Sequence, residues 1–522
     1  MAKNKAAVET ELKFLISAKD LARIQRPSWL AGLQDGRART RTLDSTYFDT
    51  PELSLRAGTA ALRLRIEGGS FQQCLKAKIK DADGTGGFSR NEWEMEVPTA
   101  ALDFDAFAQT GAAVPLAAID TAELKPVFRT VFKRVSRTYR PKAGTVISFD
   151  LDEGEIVSGR KKAPIRELEL ELLDGDAAEL FAFARSLLEK VDLRLSTVNK
   201  ADRGYALFAG FGPQWTKVPE LALEADINAE DALARMIMAC IQHLRENEEC
   251  AFHRSHIEGV HQMRVAARRL RSVLSAFRPL LPADQYEHFN GAFRDLINTM
   301  GQARDWDVFL SETIEPLKLA RPADQTLPML ETIALREQRR GYDAVRRALG
   351  NKAYTDLILE TSAWAMARGW RNGLEAEQAI RLGAPARAHA SELLGRRFKK
   401  LLRDGKQFRT MTAEQRHDLR IDVKKVRYAA ELFGVLFPGN RTQTFFAELK
   451  VLQDGLGVLN DVAVAEGLMA TLCSRARGDD VKPVHLAAGL VVGWQAQVAA
   501  EKNKTLDRAW KRFKSAKPFW QD

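Results

Sequence analysis

The sequence predicts an α+β protein of more than one domain, an antiparallel β region followed by an all-α region. Three observations predict it. Between residues 8 and 210 several segments alternate charged and apolar residues with period two, the signature of strands with two distinct faces. After Gly210-Phe-Gly-Pro213 the texture changes to long amphipathic segments rich in Ala, Leu, Arg and Glu. Within these a pattern built on His261 returns 156 residues later on His417, so the helical region reads as a duplicated bundle. At 522 residues the chain has room for two to four domains. The expected division is a β domain over 1–210, a linker over 211–227 and a helical domain over 228–515, with halves of about 228–385 and 386–515.

The first element is Glu9-Thr10-Glu11-Leu12-Lys13. On a strand its two carboxylates and its ammonium share one face, while Thr10 and Leu12 point the other way. Like charges this close need a cation between them, which suggests a divalent metal with a phosphate-seeking lysine beside it. A solvated strand face would carry the same five residues. Further period-two segments follow at Leu62-Arg63-Leu64-Arg65, Leu75–Lys80, Arg90–Val97 and Glu167–Leu172, with a glycine-rich hairpin loop expected at 81–87. Short helices are expected near 17–26, 100–110 and 176–190.

These strands supply two complementary sets. The cations are Lys13, Arg63, Arg65, Lys76, Lys78, Arg134, Lys200 and Arg203; the acids are Glu9, Glu11, Glu92, Glu94, Asp150, Asp152, Glu169 and Glu171. With the charges inward, a closed antiparallel barrel would hold both sets in one lumen, where a polyanion and a metal compensate them. With the charges outward, the same strands would be ordinary sheet with an apolar core. No GxxxxGK[ST] loop is present, so phosphate would be held by side chains.

From about residue 228 helices should dominate, with breaks at Pro279, Pro282, Pro316, Pro322 and Pro438. His261, Arg264, Arg268 and Arg271 fall within roughly 80° on a helix, opposite Met263, Leu270, Val273, Leu274 and Phe277. In the second copy His417, Arg420, Lys424 and Arg427 form the same stripe. The two stripes together would make an electropositive groove suited to an extended phosphate chain. Neither histidine has metal-ligand spacing, so both read as phosphate-contacting or capping groups. Arg304-Asp305-Trp306-Asp307 and Asn460-Asp461 are expected to orient basic side chains.

The net charge of +10 is uneven: 44 basic against 31 acidic side chains after residue 250, but 32 against 30 in residues 1–212. The C-terminal half therefore favours a polyanion. The stripes lack the interleaved aromatics that stack bases, which argues against nucleic acid. No apolar run is long enough to span a membrane and no signal peptide is visible. Four scattered cysteines point to a reducing cytoplasm as the compartment.

The ordered set Glu9-Thr-Glu11-Leu-Lys13, Tyr47-Phe48-Asp49-Thr50, Leu62-Arg63-Leu64-Arg65, Glu169-Leu-Glu171-Leu and Lys200-Ala-Asp-Arg203-Gly-Tyr205 resembles the CYTH, or triphosphate tunnel metalloenzyme, family; Asn199 stands where the family often has Ser. Residues 228–515 resemble the CHAD domain, a helical module associated with polyphosphate binding, and the combination is similar to bacterial inorganic triphosphatases. The resemblance implies an eight-stranded antiparallel tunnel that hydrolyses inorganic triphosphate with Mg²⁺ or Mn²⁺. Glu9, Glu11, Asp150, Asp152, Glu169 and Glu171 would be metal ligands. Lys13, Arg63, Arg65, Lys76, Lys78, Arg134, Lys200 and Arg203 would bind substrate, and a second metal or Glu92 or Glu94 would activate water. It further implies polyphosphate on the helical stripes and association with polyphosphate granules. The alternatives are a non-catalytic polyphosphate-binding scaffold, a thiamine triphosphatase or an adenylate cyclase.

Overall fold

The computed structural model describes residues 10–80 and 88–521. Two compact units result: residues up to 214 together with 349–367, and residues 215–348 together with 368–522. The first unit thus includes a stretch from inside the expected 228–515 segment.

The first unit is an antiparallel sheet with helices. Its strands are β1 (Glu11–Ile16), β2 (Gln34–Asp49), β3 (Ala60–Glu67), β4 (Ser70–Lys80), β5 (Phe88–Val97), β6 (Lys125–Tyr139), β7 (Val146–Ser158), β8 (Lys161–Asp174) and β9 (Leu193–Leu195). The order is β5-β4-β3-β2-β6-β7-β8-β1-β9. The eight-stranded closed tunnel expected from the resemblance is corrected here: there are nine strands among the described residues, and no ladder joins the edges β5 and β9. The additional strand is three residues long and pairs on the free side of β1, with Phe14 opposite Leu195. The loop expected at 81–87 lies outside the described residues.

Alternation does what the sequence predicts. Leu12, Phe14, Leu62, Leu64, Phe149, Leu151, Leu168 and Leu170 are buried on one side of their strands, leaving the charged residues to the other. Helices form at Ala18–Gln25, Phe104–Ala108 and Ala177–Leu188, within the three stretches predicted. Helix Lys352–Met366 packs on helix Ala177–Leu188 and on β9, and Arg185 donates to Asp356 at 2.6 Å. Helix α1 (Lys200–Ala209) is capped by Asn199, whose side chain accepts from the Asp202 amide. Its Gly204 lies so close to Phe128 of β6 that a Cβ would sit 2.0 Å from the ring. That close approach lets the helix set Lys200 against the sheet.

The second unit is helical. Helix α2 (Ile257–Phe277) and helix α3 (Ala413–Phe433) are each 21 residues long and lie 156 residues apart, and each runs into a 3-10 turn, Arg278–Leu280 and Gly434–Leu436. Phe277 and Phe433, equivalent in that spacing, meet with ring centroids 5.9 Å apart. The elements then diverge. After Pro438 the chain forms one helix of 36 residues, α4 (Asn440–Arg475). After Pro282 the corresponding stretch is divided into Ala283–Thr299, Gly301–Val308, a π-helical turn at Phe309–Ile314 and Glu315–Ala320. The break predicted at Pro316 is therefore not found. The π turn shifts the hydrogen-bond pattern just before the proline, which lacks an N–H to give, and helical structure continues to Ala320.

Candidate functional site

Strand register places the charged side chains on one face of the sheet. Glu11 is opposite Glu171 and Lys13 opposite Glu169; Asp150 is opposite Glu169, and Arg134 opposite Asp152. On the other side of β6 the same parity gives Arg41 opposite Arg134, Ser45 opposite Arg65, Arg63 opposite Cys74 and Lys76 opposite Glu92. This face is not a solvated one: the side chains of Lys13, Arg63, Arg134, Glu169 and Lys200 are only 11–18% exposed.

Two clusters form on it. In the first, Arg134 holds Asp152 through two parallel bonds of 2.7 and 2.6 Å and Asp150 at 2.9 Å, and also contacts Glu169. Lys200 lies 2.8 Å from Asp152, 2.7 Å from Glu167 and 2.9 Å from Glu169, and Lys13 lies 3.2 Å from Glu169. Arg203 pairs with Glu167, which is wholly buried. Burial would raise Glu169, but Lys200, Lys13 and Arg134 outweigh it and hold the carboxylate well below its usual range. Glu167 is lowered in the same way, against its burial, by Lys200, Lys13 and Arg203. Four cations thus meet four carboxylates.

In the second cluster Arg63 reaches Glu92 and Glu94 at 3.7 and 3.6 Å, Arg65 reaches Glu94 at 3.9 Å, and Lys76 pairs with Glu92 at 2.5 Å. Burial lowers Arg65, and repulsion from Arg63 adds to it. Glu92 is lowered because Lys76 and Arg63 overcome its burial.

Among the described residues the one trio of possible metal-ligating atoms within 4.8 Å is Cys74, Glu92 and Glu94. It suits a hard dication poorly, because burial pushes the Cys74 thiol up to about 12 and Lys76 already neutralises Glu92. The carboxylates expected as ligands do not converge in this way; Asp150, Asp152 and Glu169 are turned onto Arg134 and Lys200. A hard cation is better matched at the β1–β8 ladder. There Glu11 and Glu171 stand directly opposite, two carboxylates within reach of one shared dication. Nearby, Asp150 keeps one buried oxygen with no hydrogen-bond partner. Glu9 lies outside the described residues, as does the side chain of Lys78.

Tyr47-Phe48-Asp49-Thr50 builds the scaffold instead of the charged face. Asp49 is fully buried and accepts from the amides of Thr50, Leu55 and Arg56, forming the turn after β2. Sequence reasoning missed Glu167, and it missed Arg37, Arg39 and Arg41. These arginines line a 570 Å³ cavity with Ser136, Ser148 and Asp150, and their own alternation in Gly36-Arg-Ala-Arg-Thr-Arg-Thr42 was the available signal.

In the helical unit a 410 Å³ cavity gathers His261, Arg268 and Arg269 of α2 with Arg420, Lys424 and Arg427 of α3. The stripes do not enter it whole. Arg264 bonds Ile297 O at 2.8 Å and lines a neighbouring cavity with Asp305 and Trp306, Arg271 bonds Asn290, and His417 is exposed. His261 is pushed down to about 4, first by burial and then by Arg304, so it is a neutral ring among guanidinium groups. Asp307 accepts from Gln338 and Tyr342, not from a basic side chain as expected. The side chains of Asn460 and Asp461 lie outside the described residues. No helix among the described residues is long and apolar enough to cross a membrane.

The CYTH domain family matches residues 7–205 and the CHAD domain family residues 235–470. An inorganic triphosphatase of Haemophilus influenzae is 31% identical over 199 residues, which are 38% of this chain and 54% of that protein, so the match spans about half of the relative's length. An uncharacterized protein of Mycobacterium tuberculosis is 24% identical over 500 residues, 91% of each chain. The crystal structure of the CHAD domain from the plant Ricinus communis superposes with a TM-score of 0.50 at 28% identity, covering 59% of this chain and 98% of that one.

Proposed function

We propose that this chain, a CYTH domain followed by a CHAD domain, is a metal-dependent hydrolase of inorganic triphosphate whose helical unit binds polyphosphate. One observation carries the reading: strand register collects the cations and carboxylates on a single, largely buried sheet face. Apolar substrates have no place there, and a triphosphate with a divalent cation matches both signs of charge.

In this reading Lys13, Arg63, Arg65, Lys76 and Arg134 bind phosphate oxygens and neutralise the charge that develops on the leaving diphosphate. Glu11 and Glu171, with Glu9 and Asp150, hold Mg²⁺ or Mn²⁺, which when bound neutralises phosphate charge and polarises the anhydride. Glu92 and Glu94 orient Lys76, Arg63 and Arg65. Lys200 and Arg203 fix Glu167, Glu169 and Asp152, and so position Arg134. Water adds to a terminal phosphorus, the bond to the bridging oxygen breaks, and phosphate, diphosphate and a proton are released. In the helical unit Arg268, Arg269, Arg420, Lys424 and Arg427 meet the charges of a phosphate polymer.

Phosphate release from tripolyphosphate in Mg²⁺ or Mn²⁺, abolished by chelation, is the expected result. Absence of release together with tight polyphosphate binding would make the protein a binding scaffold instead.

A further inference from the structure

The 570 Å³ cavity between β2, β6 and β7 has a chemistry of its own. It is continuous with the charged face: Asp150 belongs to both, and Arg41 stands opposite Arg134 across β2 and β6. Its wall contains no aromatic and no aliphatic side chain larger than that of threonine, so it offers a nucleobase or thiazolium ring nothing to stack on. Its donors are in surplus. Asp35 is taken by Arg140 at 2.7 Å and Asp150 by Arg134, whereas Arg37 and Arg39 have no carboxylate partner among the described residues. Ser136 Oγ is buried with no hydrogen-bond partner. Arg39 and Arg41 occupy alternate positions of β2, which spaces their same-face side chains by roughly 6.8 Å.

We infer that this cavity is an extension subsite for further phosphate residues, so that the sheet unit acts on linear inorganic polyphosphate chains longer than triphosphate and disfavours organic triphosphates. This rests on the hydrolase reading and narrows its substrate class. A chain with one end on Arg134 and its neighbours would run past Arg41 to Arg39 and Arg37, and its oxygens would accept from Ser136.

The test is steady-state phosphate release by the full chain with Mg²⁺ or Mn²⁺, using tripolyphosphate, a longer linear polyphosphate of defined length, and ATP. Wild type should use both inorganic substrates and release little from ATP. The double variant Arg37→Ala/Arg39→Ala should lose at least ~10-fold in kcat/KM on the longer chain, as removal of a charge-assisted contact implies. It should keep its kcat/KM on tripolyphosphate, and Arg39→Lys should restore part of the loss. A fall on both inorganic substrates, a fall on neither, or wild-type preference for ATP would overturn the inference and leave triphosphate hydrolysis standing. Failure of wild type on every substrate would instead remove the hydrolase reading.

Discussion

The sheet face and the helical groove both concentrate cations, but they differ in what answers those cations. On the sheet Lys13, Arg134, Lys200 and Arg203 are matched by Asp150, Asp152, Glu167 and Glu169. In the groove, among the described residues, Arg268, Arg269, Arg420, Lys424 and Arg427 come together with Glu431 and a neutral His261. A balanced network fixes its members at set positions, as chemistry on a phosphoanhydride requires. A surface of one sign attracts polyanions with little demand on their register, as binding alone requires.

The deepest break in this contrast is Lys200→Ala. It takes from the buried Glu167 and Asp152 one of the two cations each has, leaving Arg203 and Arg134, which should cost up to about 3–5 kcal/mol and abolish turnover, read by chemical denaturation and phosphate release. Next, Arg63→Ala or Glu11→Gln should keep the fold while lowering kcat by about 10²–10³-fold, the size of losing one preorganised electrostatic contact. In the groove, Arg268→Ala with Lys424→Ala should weaken polyphosphate binding. The same pair should flatten its salt dependence by roughly 1.4 in the slope of log K against log salt, if each charge meets one phosphate.

Acid separates the two regions more finely. The ring of His261 is neutral when folded down to about 4, whereas the unfolded chain takes up a proton there near 6.5. Unfolding therefore binds the extra proton in that window, and stability falls as pH is lowered through it. Glu169 acts in the same sense but in a lower window, since its folded value is also depressed: its contribution is present above the ordinary 4.5 and is lost as pH falls below it. Melting curves from pH 7 to 4 should show the first loss, and His261→Gln should remove it. The smallest effect expected is from Arg185→Ala, about 0.5 kcal/mol, because its pair with Asp356 is partly exposed.

The charged face was legible because strand parity is a rigid rule: once Glu11, Arg63 or Glu169 is on a strand, its face follows from its neighbours. Lys200 and Arg203 were legible as charges but not as partners of Glu167, since only the docking of α1 through Gly204 brings them there. The nine-strand count was not legible, because Leu193-Arg-Leu195 is too short to carry a period. In the helical unit the repeated stripe foretold a basic surface. It did not foretell that Arg264 turns into a different cavity from Arg268, since that depends on what packs beside each residue. Nor did composition reveal which unit Lys352–Met366 belongs to, for its apolar face looks like that of any bundle helix.

That last helix has a consequence for how the protein comes into being. The sheet unit is encoded in two pieces, with residues 215–348 between them. During synthesis, every strand of the sheet leaves the ribosome well before the helix that covers Ala177–Leu188 and β9 has been made. The nascent sheet must wait with that side uncovered, and its completion is timed by translation of the helices that precede residue 349.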